Sequence, residues 1–201
     1  MDTKPVEPAR APAPKLGTIV APTMSDNSIC LRRFDEDDVP ELYAAACESL
    51  GELSASMTWC HPGYSVEDSR AFVRTSGRQW EDREHFSFAI CDAEDGTFLG
   101  SAGLSHMNAV HKFANLGYWV RTSHAGRGIA TAATRLLARW AFAELKLRRL
   151  EIVVAANNKP SQRVAEKAGA RREGVLRQRL ILGGQQLDAI LYALVPLDFE
   201  S

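Results

Sequence analysis

The chain lacks the features that mark membrane, secreted and nucleic-acid-binding proteins. None of its apolar runs approaches the roughly 20 residues needed to cross a bilayer, and its N-terminus has no hydrophobic stretch typical of a secretory signal. Its 201 residues carry a formal net charge of -1, so no general electrostatic attraction to nucleic acid is expected. These absences predict a soluble, cytoplasmic protein that binds neither membranes nor nucleic acid.

Cysteine is scarce and dispersed. The four cysteines lie at positions 30, 47, 60 and 91 without a Cys-x-x-Cys pair, and only Cys60 has a neighbouring histidine, His61. Structural zinc sites and disulfide frameworks depend on closer and more regular spacings. The sequence therefore predicts no metal site and no disulfide framework.

Proline and alanine dominate the first part of the chain. Five of the nine prolines fall within the first 22 residues, at positions 5, 8, 12, 14 and 22, and no amphipathic period accompanies them. Such a segment buries too little apolar surface to offset the entropy lost on ordering, so residues 1–24 are predicted to form a disordered tail. The remaining residues, 25–201, suit one well-buried domain and are few for two.

Hydrophobic periodicity divides the rest of the chain into helices and strands. Asp35 and the pair Ser65 and Asp68 are typical of helix starts, and Asp95-Gly96 is typical of a hairpin turn. The predicted elements, in chain order, are a strand from Ser28, helices after Asp35 and Ser65, a hairpin around Asp95-Gly96, a strand at Ala114 to Val120, a helix ending near Leu145, a strand at Leu150 to Ala155, a helix at Ser161 to Ala168 and a strand pair around Gly183-Gly184. This βααβββαβαββ order predicts an α+β fold built on a mixed sheet.

The most informative stretch is HAGRGIATAAT, residues 124–134. Gly126 and Gly128 carry no side chain and adopt backbone angles closed to other residues, so a ligand can approach the main chain there. A helical pattern follows directly, and its first amides and the positive end of its dipole would face the turn. Such a turn suits a phosphate or pyrophosphate group, although a plain tight turn looks the same in sequence.

Four segments together resemble the GNAT superfamily of acetyl-coenzyme A (acetyl-CoA) dependent N-acetyltransferases. They are GYWV at 117–120, AGRGIA at 125–130, NKPSQRVAEKAGA at 158–170 and LDAILYAL at 187–194, the last with Asp188 and Tyr192. Their order and spacing are most similar to the branch of ribosomal-protein N-terminal acetyltransferases called RimJ and RimL. The resemblance covers roughly residues 28–197 and implies a single GNAT-type acyl-CoA N-acyltransferase domain, an enzyme whose co-substrate is acetyl-CoA.

The resemblance assigns the acetyl-CoA site to two neighbouring segments. Amides of Gly126 to Ala130 would hold the pyrophosphate, and the Arg127 side chain is either a phosphate partner or an exposed turn residue. The pantetheine arm would pair with the backbone of the preceding strand, where Tyr118 and Trp119 point to opposite faces and one of them is expected in the core. The implied cofactor-binding residues are Leu116, Tyr118, Trp119, Val120, Gly126, Arg127, Gly128, Ile129, Ala130, Asn158 and Ser161.

Acetyl transfer also needs an oxyanion stabiliser and a proton donor for the departing thiolate. A backbone amide near Val120 would stabilise the oxyanion during direct attack by the amine, through a tetrahedral intermediate and without an acetyl-enzyme. Many superfamily members donate the proton from a tyrosine at the position of Ala165, so the RimJ/RimL-like Ser161 is the catalytic candidate here. Asn158 and Ser161, which flank Pro160, also have the pattern of helix caps.

A general base is harder to find in the sequence. Carboxylates that family members carry beside the GYW strand correspond to Asn115 and Thr122, which are not bases at neutral pH. His106 is the catalytic candidate, because imidazole titrates near neutrality. A chain of water molecules is an equal alternative, and His111 and Glu84 are weaker ones.

The acceptor is expected to contact the loop containing Trp59 and Tyr64, because the family varies there with substrate. The predicted acceptor is the N-terminal α-amine of a protein, and the alternative is a small-molecule amine such as an amino acid, a polyamine or an aminoglycoside. A non-catalytic acyl-CoA-binding module and a plain α/β interaction domain are the further hypotheses. The protein is expected to be a monomer or a homodimer.

Overall fold

One mixed sheet of eight strands organises the chain in a computed structural model, which describes residues 23–199. The strands are β1 (Met24–Ser25), β2 (Ile29–Arg33), β3 (Phe86–Asp92), β4 (Phe98–Asn108), β5 (Phe113–Val120), β6 (Arg149–Ala155), β7 (Arg171–Leu182) and β8 (Gln185–Leu194). The helices are α1 (Val39–Glu48), α2 (Leu50–Ser54), α3 (Val66–Glu81), α4 (Ile129–Ala143) and α5 (Lys159–Ala168). Between residues 23 and 199, none of the helices is long and apolar enough to span a membrane.

The strands lie in the order β1-β2-β3-β4-β5-β6-β8-β7, and within residues 23–199 only the β5–β6 pair is parallel. This arrangement confirms the predicted α+β order on a mixed sheet. Two short elements are additions, β1 and α2, whose two and five residues are too few to give a readable period. The predicted tail lies outside the described residues except for Thr23 and Met24, and Met24 pairs with Leu31 of β2.

Strand β3 is buried on both faces of the sheet. Phe86, Phe88 and Ile90 belong to a large core that α4 covers, whereas Ala89 and Cys91 belong to a smaller core beneath α1 and α3. Helices cover both faces of the sheet here. The alternation along this strand is therefore between large and small buried side chains, not between buried and exposed ones.

A capping box confirms the predicted start of α3, whereas Asp35 caps a 3-10 turn and α1 itself begins at Val39 without a side-chain cap. Asp35 accepts a hydrogen bond from the amide of Asp37 at 2.9 Å, in a 3-10 turn that leads into α1. At the start of α3 the Asp68 amide donates to Ser65 Oγ at 3.3 Å, and the Ser65 amide donates to Asp68 Oδ2 at 2.8 Å. This capping box satisfies amides that the helix itself leaves unpaired. Residues 49–65 connect α1 to α3. Ser49 and Trp59 in this segment contact Thr122 and Trp119, at the end of β5.

Strands β5 and β6 pair only at one end. In the described part of the chain, their parallel register joins residues 113–115 to residues 149–151. Beyond Asn115 the two strands diverge, and a cleft opens between residues 116–118 and 152–155. One edge of β5 is thus left beside a cavity in its C-terminal half, which runs toward the start of α4.

Candidate active site

Two adjoining cavities lie where β5 and β6 diverge. The first lies between the strands and extends to Leu180 and Leu182 of β7, and the second, about 350 Å³ in volume, continues along β5 to the glycine turn. Five residues line both cavities: Ser56, Met57, Tyr118, Asn158 and Ser161. The two cavities therefore form one continuous cleft. Every predicted cofactor-binding residue except Arg127 lines it.

The glycine turn has the conformation that its sequence predicts. Gly126 has φ 78° and Gly128 has φ 85°, in the left-handed region where side chains are strained. Gly128 is the N-cap of α4, and an added Cβ at either glycine would meet no atom within 4 Å. Backbone conformation, rather than crowding, thus requires glycine. The Arg127 guanidinium donates to the Ser123 carbonyl at 3.2 Å, and its residue is exposed outside the cleft lining.

A close approach of β4 shapes the end of β5. Gly100 has φ 151°, and a Cβ at this position would lie 2.2 Å from the carbonyl oxygen of Trp119. The side chains of Tyr118 and Trp119 pack against different cores, which agrees with their predicted alternation. Both are half-buried, so each packs against a core, whereas the sequence led us to expect this of one of them.

Tyr118 and Ser161 meet across the cleft. The Tyr118 phenol donates to the Ser161 carbonyl at 3.0 Å, and Ser161 Oγ lies 3.1 Å from the phenol oxygen. Burial raises the pKa of Tyr118 to about 12, so the phenol keeps its proton at neutral pH. Asn158 Oδ1 accepts from the Ser161 amide at 3.1 Å as the N-cap of α5, whereas Ser161 lies inside the helix. The cap thus orients the residue whose hydroxyl meets Tyr118.

Aromatic side chains surround the predicted acceptor loop. The ring of Trp59 lies 5.9 Å from that of Trp119 and 5.6 Å from that of Tyr64. Tyr64 stacks on Tyr43 at 6.4 Å, and its hydroxyl lies 2.9 Å from Ser69 Oγ. Trp59 is 40% exposed. Neither Trp59 nor Tyr64 lines the cleft, and Trp59 contacts it through Trp119, which does.

Hydrogen bonds tie the segment after β5 to the end of α1. Glu48 accepts from the Ser123 amide at 2.8 Å and from the Arg121 guanidinium. The hydrogen bonds from Ser123 and Arg121 lower the pKa of Glu48 to about 2. The carboxylate is therefore charged at neutral pH, and it holds α1 against residues 121–123.

Glu52 is one of the cleft residues that the sequence analysis does not identify. Its carboxylate accepts from the Thr122 hydroxyl at 3.2 Å, and among residues 23–199 it is the only carboxylate in the lining of either cavity. The two residues are 70 positions apart, and α2 is too short for its sequence to show which side faces the sheet. No local signal marks Glu52.

His106, the predicted base, does not line either cavity. The register of β4 with β5 is irregular between Ser105 and Asn108, and His106 within this stretch has φ 51°. A bulge redirects side chains from the regular alternation of a strand. His106 is accordingly exposed, with its Nδ1 atom 3.1 Å from Ser105 Oγ. The structure therefore does not bring it together with Tyr118 and Ser161.

Two cationic side chains lie at the end of the cleft that adjoins the glycine turn. Arg163 and Lys167 of α5 are exposed and line the cavity that ends at the glycine turn. Their charges and the open amides of the turn both favour a phosphate-bearing ligand. Within residues 23–199, no group of three or more His, Cys, Asp or Glu side chains is arranged to hold a metal ion.

Comparisons with known proteins identify the family. The family model of the acetyltransferase (GNAT) domain matches residues 28–171. The chain is 28% identical over 166 residues to the ribosomal-protein-serine acetyltransferase of Escherichia coli K12, covering 83% of this chain and 92% of the relative. It is 29% identical over 170 residues to the spermidine N(1)-acetyltransferase of the same strain, covering 83% and 85%.

A solved structure adds to this similarity. Mycobacterium smegmatis RimJ in complex with CoA-disulfide is 25% identical to the chain, with a TM-score of 0.78, and the match covers 86% of this chain and 84% of that one. The family match spans most of the described fold, including β5 and the glycine turn. The chain therefore belongs to the GNAT acetyltransferase family, as an N-acetyltransferase whose acetyl donor is acetyl-CoA.

Proposed function

We propose that the chain acetylates the N-terminal α-amine of a protein. The observation that carries this proposal is the charge of the cleft, whose described lining contains a single carboxylate, Glu52, and an apolar wall that includes Met57, Leu180 and Leu182. A polyamine or an aminoglycoside brings several ammonium groups, and all but one would lack a carboxylate partner there. A protein N-terminus brings one ammonium group, followed by a chain that can lie along the apolar wall.

An α-amine also suits the shortage of bases in the cleft. Its pKa in peptides is about 8, whereas that of a lysine-type amine is about 10.4. Near neutral pH a sizeable fraction of an α-amine is already unprotonated, compared with about a thousandth of a lysine-type amine. The identities to the ribosomal-protein and spermidine enzymes, 28% and 29%, are nearly equal, so the proposed choice between these acceptors rests on the cleft.

The chain's own residues fit acetyl-CoA, which supplies an activated acetyl group as a thioester. The amides of Gly126, Gly128, Ile129 and Ala130 would hold the pyrophosphate at the start of α4. The backbone of Leu116 to Val120, on the edge of β5 that faces the cleft, would pair with the pantetheine arm. The Val120 amide would then polarise the carbonyl that the amine attacks.

Ser161 would give its proton to the departing sulfur. Its hydroxyl lies 3.1 Å from the Tyr118 phenol, which is buried and protonated. Because the phenol donates its proton to the Ser161 carbonyl, the phenol oxygen is free to accept from the Ser161 hydroxyl and to orient it. Next to Trp119, the aromatic side chains of Trp59 and Tyr64 would contact the residues that follow the acceptor amine.

An acceptor screen tests the proposed function. Thiol release from acetyl-CoA would be measured with peptides that begin with Ser, Ala or Met, and with spermidine. We expect at least one peptide to have a kcat/KM more than about tenfold above that of spermidine, because the cleft offers one carboxylate to one ammonium. A peptide of the same sequence with a blocked N-terminus and an internal lysine is the matched control. Faster acetylation of spermidine, or equal acetylation of the blocked peptide, would contradict the α-amine proposal.

Replacing both Arg163 and Lys167 with alanine is expected to weaken acetyl-CoA binding by about tenfold. Hydrogen bonds from cations to phosphate contribute about 1.5–3 kcal/mol each when unscreened, and solvent reduces this at exposed positions. Titration calorimetry with acetyl-CoA, and with an acetyl-CoA that lacks the 3′-phosphate, would locate the contact. Because the turn amides are assigned to the pyrophosphate, we propose that Arg163 and Lys167, one helical turn apart on α5, contact the 3′-phosphate, so the variant should lose affinity only for the complete molecule.

A charge-matched variant controls for long-range electrostatics. Arg177 and Arg179 lie on β7, exposed and outside the cleft lining. Their joint replacement by alanine should leave both affinities unchanged. Equal losses for the two donors in the α5 variant would show that Arg163 and Lys167 act elsewhere than on the 3′-phosphate.

A further inference from the structure

We propose that Glu52 takes the proton from the acceptor amine, a role that rests on the proposed α-amine acetylation. Helix α2 carries Glu52 into the cavity that Tyr118, Trp119 and Ser161 also line. No other carboxylate of the described chain lines the cleft. A carboxylate attracts the ammonium form of an amine and is also a base. One side chain can thus bind the acceptor and then accept its proton.

Hydrogen bonds around Glu52 set the direction of its side chain. The Thr122 hydroxyl donates to the carboxylate at 3.2 Å. The Thr122 amide donates at 3.0 Å to the Oγ of Ser49, which lies one turn before Glu52. The Ser56 hydroxyl donates to the Glu52 carbonyl at 2.8 Å. The carboxylate is therefore held against the segment that follows β5, although its residue is exposed. This position lets the carboxylate meet both the cleft and solvent.

The other ionisable groups of the cleft do not match this role. His124 lines the cleft beside Ala125 and Gly126, at the turn where the pyrophosphate is expected, and its Nδ1 atom lies 2.9 Å from Ser123 Oγ. The two side chains of α5 that line the cleft are cations. Tyr118 holds its proton, since burial raises its pKa to about 12, and it is therefore a donor. Glu52 is left as the acceptor.

The proton movements balance with Glu52 in this role. The bound ammonium group first loses one proton to solvent. The neutral amine nitrogen then forms a bond to the acetyl carbon, and one of its two remaining protons moves to the Glu52 carboxylate. The bond between that carbon and sulfur breaks, and the sulfur takes a proton from the Ser161 hydroxyl. Solvent then removes the proton from Glu52 and restores the one on Ser161, so the products are the N-acetylated amine and the free thiol of CoA.

Glu52→Gln tests the role, because it keeps the size of the side chain and removes the base. With whichever peptide the wild-type protein acetylates fastest, we expect kcat to fall by about a hundredfold or more. The affinity for acetyl-CoA and the Tm should stay unchanged. Glu52→Asp keeps a carboxylate and should recover part of the activity. The wild-type rate in this assay tests the α-amine function, and the ratio of variant to wild type tests Glu52.

Glu67→Gln is the matched control. Glu67 is an exposed carboxylate in the first turn of α3 and lies outside the cleft lining, so the same change of charge should leave kcat and KM unaltered. An unchanged kcat for Glu52→Gln would overturn the proposal. A raised KM at constant kcat would overturn it too, since Glu52 would then only bind the ammonium group.

Discussion

Replacing Gly126 with valine is expected to abolish acetyl-CoA binding while the protein stays folded. Gly126 has φ 78°, and a β-branched residue there stores about 1–3 kcal/mol of strain. The turn relieves this strain by rotating, and the amides that face the cleft move with it. Each hydrogen bond to a charged phosphate contributes about 1.5–3 kcal/mol, so the loss of two weakens binding by more than about a hundredfold. Calorimetric titration with acetyl-CoA measures the loss.

Gly184 offers a matched control for this substitution. It lies in the β7–β8 turn with φ 75°, and an added Cβ would meet no atom within 4 Å, as at Gly126. Gly184→Val therefore introduces the same kind of strain away from the glycine turn. We expect a similar decrease in Tm and an unchanged affinity. Equal losses of affinity in both variants would point to general destabilisation, and normal binding by Gly126→Val would remove the turn from the phosphate site.

The parts of the site that the sequence predicts depend on residues close together in the chain. The capping box of Ser65 and Asp68 spans three positions, and the two glycines of the turn are separated by one residue. In each case the conformation follows from the residues' own backbone preferences and nearest hydrogen bonds. Tertiary packing did not alter these local arrangements, so the phosphate turn and the start of α3 could be read directly.

The parts that the sequence missed depend on contacts between distant segments. Glu52 reaches Thr122 across 70 positions, and Tyr118 reaches Ser161 across 43. In the sequence, Thr122 stands where many family members carry a carboxylate. In the fold, its hydroxyl donates a hydrogen bond to the carboxylate of Glu52 on α2. Conversely, His106 stands in a predicted strand whose regular alternation ends at an irregularity, and its side chain is exposed. Neither arrangement has a periodic signature.

Family membership decides among the hypotheses that the residues alone left open. The GNAT match covers the segment from β2 to the start of β7, which excludes a plain interaction domain and makes acetyl transfer, rather than cofactor binding alone, the activity. The absence of a tyrosine at position 165 and of carboxylates at 115 and 122 is what leaves a non-catalytic module open as an alternative in the sequence. In the fold, Tyr118 and Glu52 bring a phenol and a carboxylate into the same cleft from other elements.

Ser161→Ala is expected to lower kcat by roughly tenfold to a hundredfold and to leave acetyl-CoA affinity nearly unchanged. The Ser161 hydroxyl would protonate the sulfur only as the thioester breaks, so it contributes to the transition state and little to binding. The effect falls at the low end for general acids, because a thiolate with a pKa of about 8.5 leaves without full protonation. Single-turnover and steady-state rates, with calorimetry for affinity, separate the two effects.

Two further variants, Tyr118→Phe and Ser76→Ala, test whether the loss of activity in Ser161→Ala comes from the loss of a proton donor. Tyr118→Phe removes the phenol 3.0 Å from the Ser161 carbonyl and 3.1 Å from its hydroxyl, so kcat should also fall, and the double variant should lose less than the product of the two single effects. Ser76, a helical serine that donates to the Val73 carbonyl at 2.8 Å, lies outside the cleft lining, and its replacement should leave kcat unaltered. An undiminished kcat in Ser161→Ala would instead show that the thiolate leaves without a proton from this residue, and strictly multiplicative effects would show that Tyr118 acts independently of Ser161.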